Sequence, residues 1–268
     1  IVSGDFYWAV EKKAPLNPPE GENFNAQAGR LADSQLPPSG GGGAYWYVAA
    51  ADCTGHGVPG AFLTMLGTSY LNEIFASVDI FSPAEILDRL RDKVVKELSQ
   101  AGKEGETKDG MDISLIRIEL PSPSERGQGL PSEASAKEGV RLNWAGANNS
   151  LYLVKNGTLS EIKADKQPIG YHPEPFPFTN HSFNLQKGDL IYIFTDGYAD
   201  QFGGPKARPT ERNQSFGRGK KFKYSQFEKL LVSIHEKNME DQKIILGNSF
   251  KDWMGELEQV DDVCVIGI

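Results

Sequence analysis

The chain has 268 residues, 39% of them hydrophobic, enough to bury one sizeable core. Its 36 acidic and 28 basic residues leave a net charge of −8, and no basic stretch exceeds "GRGKKFK" at 217–223, which argues against a nucleic-acid partner. The two cysteines, Cys53 and Cys264, lack C-x-x-C spacing and argue against a disulfide framework or a zinc site, and no apolar run reaches the roughly 18 residues of a membrane span.

In chain order, "IVSGDFYWAV" has β-rich ends, enters in mid-pattern without an initiator Met, and so reads as part of something longer. Residues 11–44 follow as a polar connection closing on "PPSGGGG". "AYWYVAAAD" is a buried-strand candidate, and from Pro59 the residues Phe62, Met65, Leu66, Tyr70 and Ile74 recur at helical spacing. A second helix is announced by "SPAE", where Ser82 caps, Pro83 takes the first turn and Glu85 reaches back; Ile86, Leu87, Leu90, Val94 and Leu98 share its face. A β-meander follows in "MDISLIRIEL", "VRLNWAG", "SLYLVKNG", "TLSEIKA", "HSFNLQ" and "DLIYIFTD", with polar loops at 121–139 and 203–224. A further capping box, Ser225 to Glu228, opens a helix; another spans about 240–254, and "DDVCVIGI" closes the chain as a strand. This order is α+β and not alternating βαβ, and one domain over residues 1–268 is the economical expectation.

Gly55, Gly57 and Gly60 in "ADCTGHGVPG" spell G-x-G-x-x-G, the fingerprint of a dinucleotide-binding turn. Two features oppose an oxidoreductase: Asp52 would face the pyrophosphate with its negative charge, and the mostly β segments downstream do not supply a parallel sheet. The glycines are read instead as allowing a sharp turn and a close helix start. Asp52 has counterparts at other strand ends: Asp5 in "SGDFYW", Asp196 in "IFTDG", and Asp261 with Asp262 in "VDDV". Any one of them fits an ordinary turn or cap. Together they offer acidic oxygen donors with few imidazoles, the donor set of hard cations such as Mg²⁺ or Mn²⁺.

With "SGDFYW", "ADCTGHGVPGAF", "IFTDGYAD" and "DDVCVIGI" in that order, the chain resembles the metal-dependent Ser/Thr protein phosphatases of the PPM, or protein phosphatase 2C-like, family, in the bacterial sporulation-protein-E-like (SpoIIE) branch. The resemblance implies a four-layer αββα sandwich, two antiparallel β-sheets flanked by helices. It implies two Mn²⁺ or Mg²⁺ ions bridged by Asp52, with the Cys53 backbone carbonyl as a further ligand, Asp5, Asp196 and Asp261 on the other ion, and Asp262 as an alternative. Asp52 and Asp196 would then carry the catalysis, in which metal-activated water hydrolyses phosphoserine or phosphothreonine. His56, between two glycines, is a candidate general acid. Lys220 and Lys221, in a basic loop where relatives carry a variable flap, are candidates for docking the phosphorylated protein, expected to resemble an anti-sigma-factor antagonist. The branch further implies an N-terminal regulatory or sensor region outside this chain, a cytoplasmic location that is compatible with attachment to a membrane sensor, and room for a dimer. The non-catalytic alternative is a degenerate phosphatase that binds phosphoprotein.

Departures from the family pattern are equally specific. Gly4 stands where many relatives carry a second acidic residue, "WAGANNSLYL" replaces the turn that supplies a third-metal aspartate, and "KDGMDISL" adds Asp109, read as a turn residue, and Asp112, whose approach to the metals is the lesser alternative and which is not counted among the ligands.

Overall fold

The structure, a computed structural model, describes residues 4–13, 44–55, 57–76, 81–103, 109–120, 139–204 and 219–268. The elements run β1 (Asp5–Lys13), β2 (Ala44–Cys53), α1 (Val58–Ala76), α2 (Pro83–Glu97), β3 (Met111–Leu120), β4 (Val140–Ala147), β5 (Leu151–Lys155), β6 (Thr158–Ile162), β7 (His181–Leu185), β8 (Leu190–Phe194), α3 (Gly197–Asp200), β9 (Phe202–Gly203), β10 (Lys220–Lys221), α4 (Tyr224–Ile234), α5 (Met239–Met254) and β11 (Val265–Gly267). One sheet has the order β1-β2-β3-β4-β7 and the other β11-β8-β5-β6, with every ladder antiparallel. Among the described residues β2, which leads into the glycine turn, pairs antiparallel with both neighbours, and does not form the parallel βαβ unit that a dinucleotide turn requires.

Three hydrophobic clusters separate four layers. Strand residues alternate between the faces of a sheet, so β2 turns Tyr45, Tyr47, Ala49, Ala51 and Cys53 toward α1 and α2, and Ala50 toward the second sheet. The small side chains of Ala49, Ala50 and Ala51, all fully buried, let both neighbours approach closely. Between the sheets, Ile116, Leu142 and Trp144 of the first meet Leu151, Ile191 and Ile193 of the second. Outside the second sheet, Tyr152, Tyr192 and Phe194 pack on Phe227 and Leu231 of α4, with Phe250 and Trp253 of α5 against them. The α+β class and the αββα sandwich are both realised.

Helix α2 begins as its sequence dictates: the Ser82 amide donates to Glu85 Oε2 at 2.8 Å, and the Glu85 amide donates back to Ser82 Oγ at 3.3 Å. Helix α4 does not follow its own signal. Its N-cap is Lys223, at φ 70°, without a side-chain cap, so Ser225 lies inside the first turn. The tertiary bond from the Lys223 amide to the Ala199 carbonyl, at 2.7 Å, fixes the helix start earlier than the local capping box would.

The expected loop limits shift as well. Strand β1 runs to Lys13, and β10 pairs with β9 inside the span read as a loop at 203–224. The closing strand is only β11, so Asp261 and Asp262 precede it instead of opening it. Cys53 is buried in β2 and Cys264 half-buried just before β11; both are free thiols. The rest of the loops at 11–44, 121–139 and 203–224 lies largely outside the described residues.

Candidate active site

Register brings the acidic residues together. Asp5 on β1 is the direct cross-strand partner of Asp52 on β2, and Asp52 is the partner of Asp112 on β3. Directly opposed residues in an antiparallel ladder share one face, here the face toward the second sheet, so three carboxylates form a rung at one end of the sandwich. Beyond β3, Asn148 at φ 56° continues the row and donates from Nδ2 to Asp112 Oδ1 at 2.8 Å. The second sheet contributes from strand ends: Thr195 and Asp196 follow β8, while Asp261 and Asp262 lead into β11.

Two contacts bind these halves. The Cys264 amide donates to Thr195 Oγ1 at 2.9 Å, and Thr195 Oγ1 donates to Asp5 Oδ2 at 2.6 Å. The Gly4 amide donates to Asp262 Oδ2 at 2.8 Å, so Asp262 holds the start of β1. Thr195 and Asn148 carry no local sequence signal. Only the pairing of distant strands exposes their role.

The glycine turn closes the floor. Gly55 and Gly57 take φ of +83° and +71°, and a Cβ on Gly60 would stand 2.5 Å from the Gly55 carbonyl oxygen, so α1 starts hard against the end of β2. A Cβ on Gly4 would stand 3.1 Å from the Cys53 carbonyl oxygen and 3.0 Å from that of Gly55, a fit so tight that the backbone would have to give by a few tenths of an ångström to admit a side chain there. The Cys53 carbonyl thus borders the rung. His56 lies outside the described residues.

Electrostatics follow from crowding. Burial, then repulsion from Asp5, Asp196 and Asp261, pushes Asp52 up to about 8. Asp5 is pushed up to about 6 by burial, partly offset by its hydrogen bonds from Thr195 and with Asp52. Asp196 is raised by burial and by Asp261, against the pull of Lys221. Asp112 is raised by burial, opposed by Asn148 and by the charge of Lys166. Lys221 is engaged in an ion pair with Asp200 at 2.7 Å, whereas Lys220 is exposed on β10. Asp109 stands outside the rung at hydrogen-bonding range from Thr54.

The fit to a divalent cation rests on donor chemistry. Among the described residues no three His, Cys, Asp or Glu side chains form a ready-made metal cage. What is assembled is the hydrogen-bonded pair Asp5 and Asp52, with Asp196 and Asp261 close enough to repel it. Half-buried, mutually repelling carboxylates suit a hard cation, whose charge would relieve the repulsion, and in that sense the residues fit.

Residues 132–268, just over half of the chain, match the family model of stage II sporulation protein E (SpoIIE). The chain belongs to the SpoIIE family. The match contains Asp196, Asp261 and Asp262, while Asp5 and Asp52 lie before it. Among solved structures, the SiaA-PP2C domain of Pseudomonas aeruginosa is similar at TM-score 0.65 and 24% identity, over 100% of this chain and 80% of that one. The PP2C phosphatase domain, with a regulatory fragment, of SpoIIE from Bacillus subtilis is similar at TM-score 0.59 and 14% identity, over 100% of this chain and 58% of that one. The RsbU and RsbW domains of a Mycobacterium tuberculosis protein are similar at TM-score 0.54 and 15% identity, over 83% of this chain and 51% of that one. At these identities the likeness speaks for the PP2C fold. No curated protein matches the chain in sequence. Among the described residues no helix is long and apolar enough to cross a membrane.

Proposed function

We propose that this SpoIIE-family chain is a metal-dependent protein serine/threonine phosphatase. The observation that carries the reading is the half-buried rung of Asp5 and Asp52, with Asp196 and Asp261 close enough to raise the Asp52 pKa. In this reading Asp52, Asp5, Asp196 and Asp261, with the Cys53 carbonyl, hold two Mn²⁺ or Mg²⁺ ions. Bound divalent cations supply charge neutralisation for the phosphate and a lowered pKa for attacking water. The chain's own part is positional: Thr195 fixes the Asp5 carboxylate, Asp262 anchors β1, and the glycine turn fixes the approach of α1 to Asp52. No side-chain nucleophile is needed.

The proposed substrate is a phosphoserine or phosphothreonine on a signalling protein such as an anti-sigma-factor antagonist, met in the cytoplasm and governed by a regulatory region beyond this chain. All 268 residues would form one domain. A second reading, a degenerate module that binds phosphoprotein without hydrolysis, draws support from the missing three-ligand cage among the described residues. Hydrolysis of a phosphothreonine peptide with Mn²⁺, Mg²⁺ or EDTA separates the two. Metal-dependent turnover that falls to the chelated level in Asp52→Asn and Asp196→Asn is expected; metal binding without turnover would favour the degenerate module.

A further inference from the structure

With the proposed cations bound among the carboxylates, a phosphate dianion is drawn to the metals past an acidic rim, and a protein cation at that rim adds to their pull. Lys221 and Lys166, both among the described residues, act on the acidic residues through their charge, and Lys221 is already paired with Asp200 at 2.7 Å. Lys166 is different: it is exposed, its charge is felt by Asp112, and it has no ion-pair partner among the described residues.

Its backbone, in contrast, is tightly held. The Asp165 carbonyl accepts from the Asn148 amide at 2.9 Å, and the Asp165 amide donates to the Gly146 carbonyl at 3.1 Å. The Asp165 carboxylate accepts from Thr179 through its amide and its hydroxyl. On the other side, the fully buried Gln167 accepts from Arg91 at 2.8 Å and donates to the Phe176 carbonyl at 2.8 Å. Ile169 then exchanges both backbone bonds with Met111, the residue before Asp112. Segment 165–169 therefore lies across the start of β3 and the end of β4, beside Asp112 and Asn148, and it carries Lys166 on a hydrogen-bonded backbone at the same end of the sandwich.

We propose that Lys166 binds the phosphoryl oxygens of the incoming substrate at the rim of the carboxylate rung. The proposal rests on the phosphatase reading and adds to it a substrate-binding residue from a loop outside the acidic motifs. A lysine suits the task as a compact, rotatable point charge, and arginine can replace it as a phosphate donor.

The test is calorimetric titration of the Mn²⁺-loaded chain with inorganic phosphate, alongside KM and kcat for the phosphothreonine peptide. Lys166→Gln is expected to weaken phosphate binding and raise KM by about tenfold, the low end for a hydrogen bond to a charged group. Lys166→Arg is expected to recover most of both, and Mn²⁺ affinity to hold in all three proteins. Unchanged phosphate affinity in Lys166→Gln, no phosphate binding by the unaltered chain, or a parallel loss of Mn²⁺ binding in Lys166→Gln would overturn it. If the unaltered chain fails to turn over the peptide, hydrolysis falls, and the phosphate titration still decides on Lys166.

Discussion

Asp5 and Asp52 oppose each other in the ladder, and burial penalises the charge of both. Their pKa values stand at about 6 and about 8 against an ordinary 3.8, so the folded, metal-free chain holds protons that the unfolded chain releases. Where the folded state binds more protons, stability falls as pH rises. In EDTA, Tm should therefore decline from about pH 4 to pH 8 as these two groups titrate, the Asp52 part extending furthest. Asp52→Asn should flatten the decline and raise Tm at its upper end by roughly 2–4 °C, the shift made by about 1 kcal/mol in a chain of this size. Thermal unfolding across that range checks it, and a Tm that climbs with pH would be the wrong sign. Asp5, Asp52 and Asp196 were legible as candidates in the sequence because each stands at or beside a strand end, and Asp261 was legible although it lies four residues before the strand it was expected to open. Thr195 and Asn148 were not, because their place depends on contacts between segments far apart in sequence, and the same holds for the proposed role of Lys166.

At the scale of elements, local chemistry decides where little else competes. Ser82 and Glu85 cap α2 reciprocally, and Ser82→Ala should cost about 1 kcal/mol, read as a Tm loss of roughly 2–4 °C without change in metal affinity. The same motif at Ser225 and Glu228 misplaced the start of α4, because the Lys223 amide bond to Ala199 sets the entry of that helix. The glycine turn was legible as a device for close approach, and Gly60 is its tightest point. Gly60→Ala places a Cβ 2.5 Å from the Gly55 oxygen, so α1 must back away from the end of β2. The expected result is weaker Mn²⁺ binding together with lower Tm; wild-type values of both would mean that the contact yields freely.

Across the whole molecule, the clusters on either side of each sheet explain why the site is held at one end of the sandwich. The inter-sheet core fixes the distance between the rung on the first sheet and Asp196 and Asp261 on the second. The strands of that core were legible from their length and turn signals, whereas their order was not, since pairings such as β4 with β7 and β8 with β11 join segments far apart in sequence. Ile193 is fully buried between the sheets, and Ile193→Ala should cost about 2–5 kcal/mol in denaturant unfolding. The measurement that reaches the central claim most directly is calorimetric titration of the chain with Mn²⁺ near neutral pH, repeated on Asp52→Asn. The account predicts saturable binding that Asp52→Asn abolishes or weakens severely. Equal binding by both proteins, or none by the unaltered chain, would contradict it.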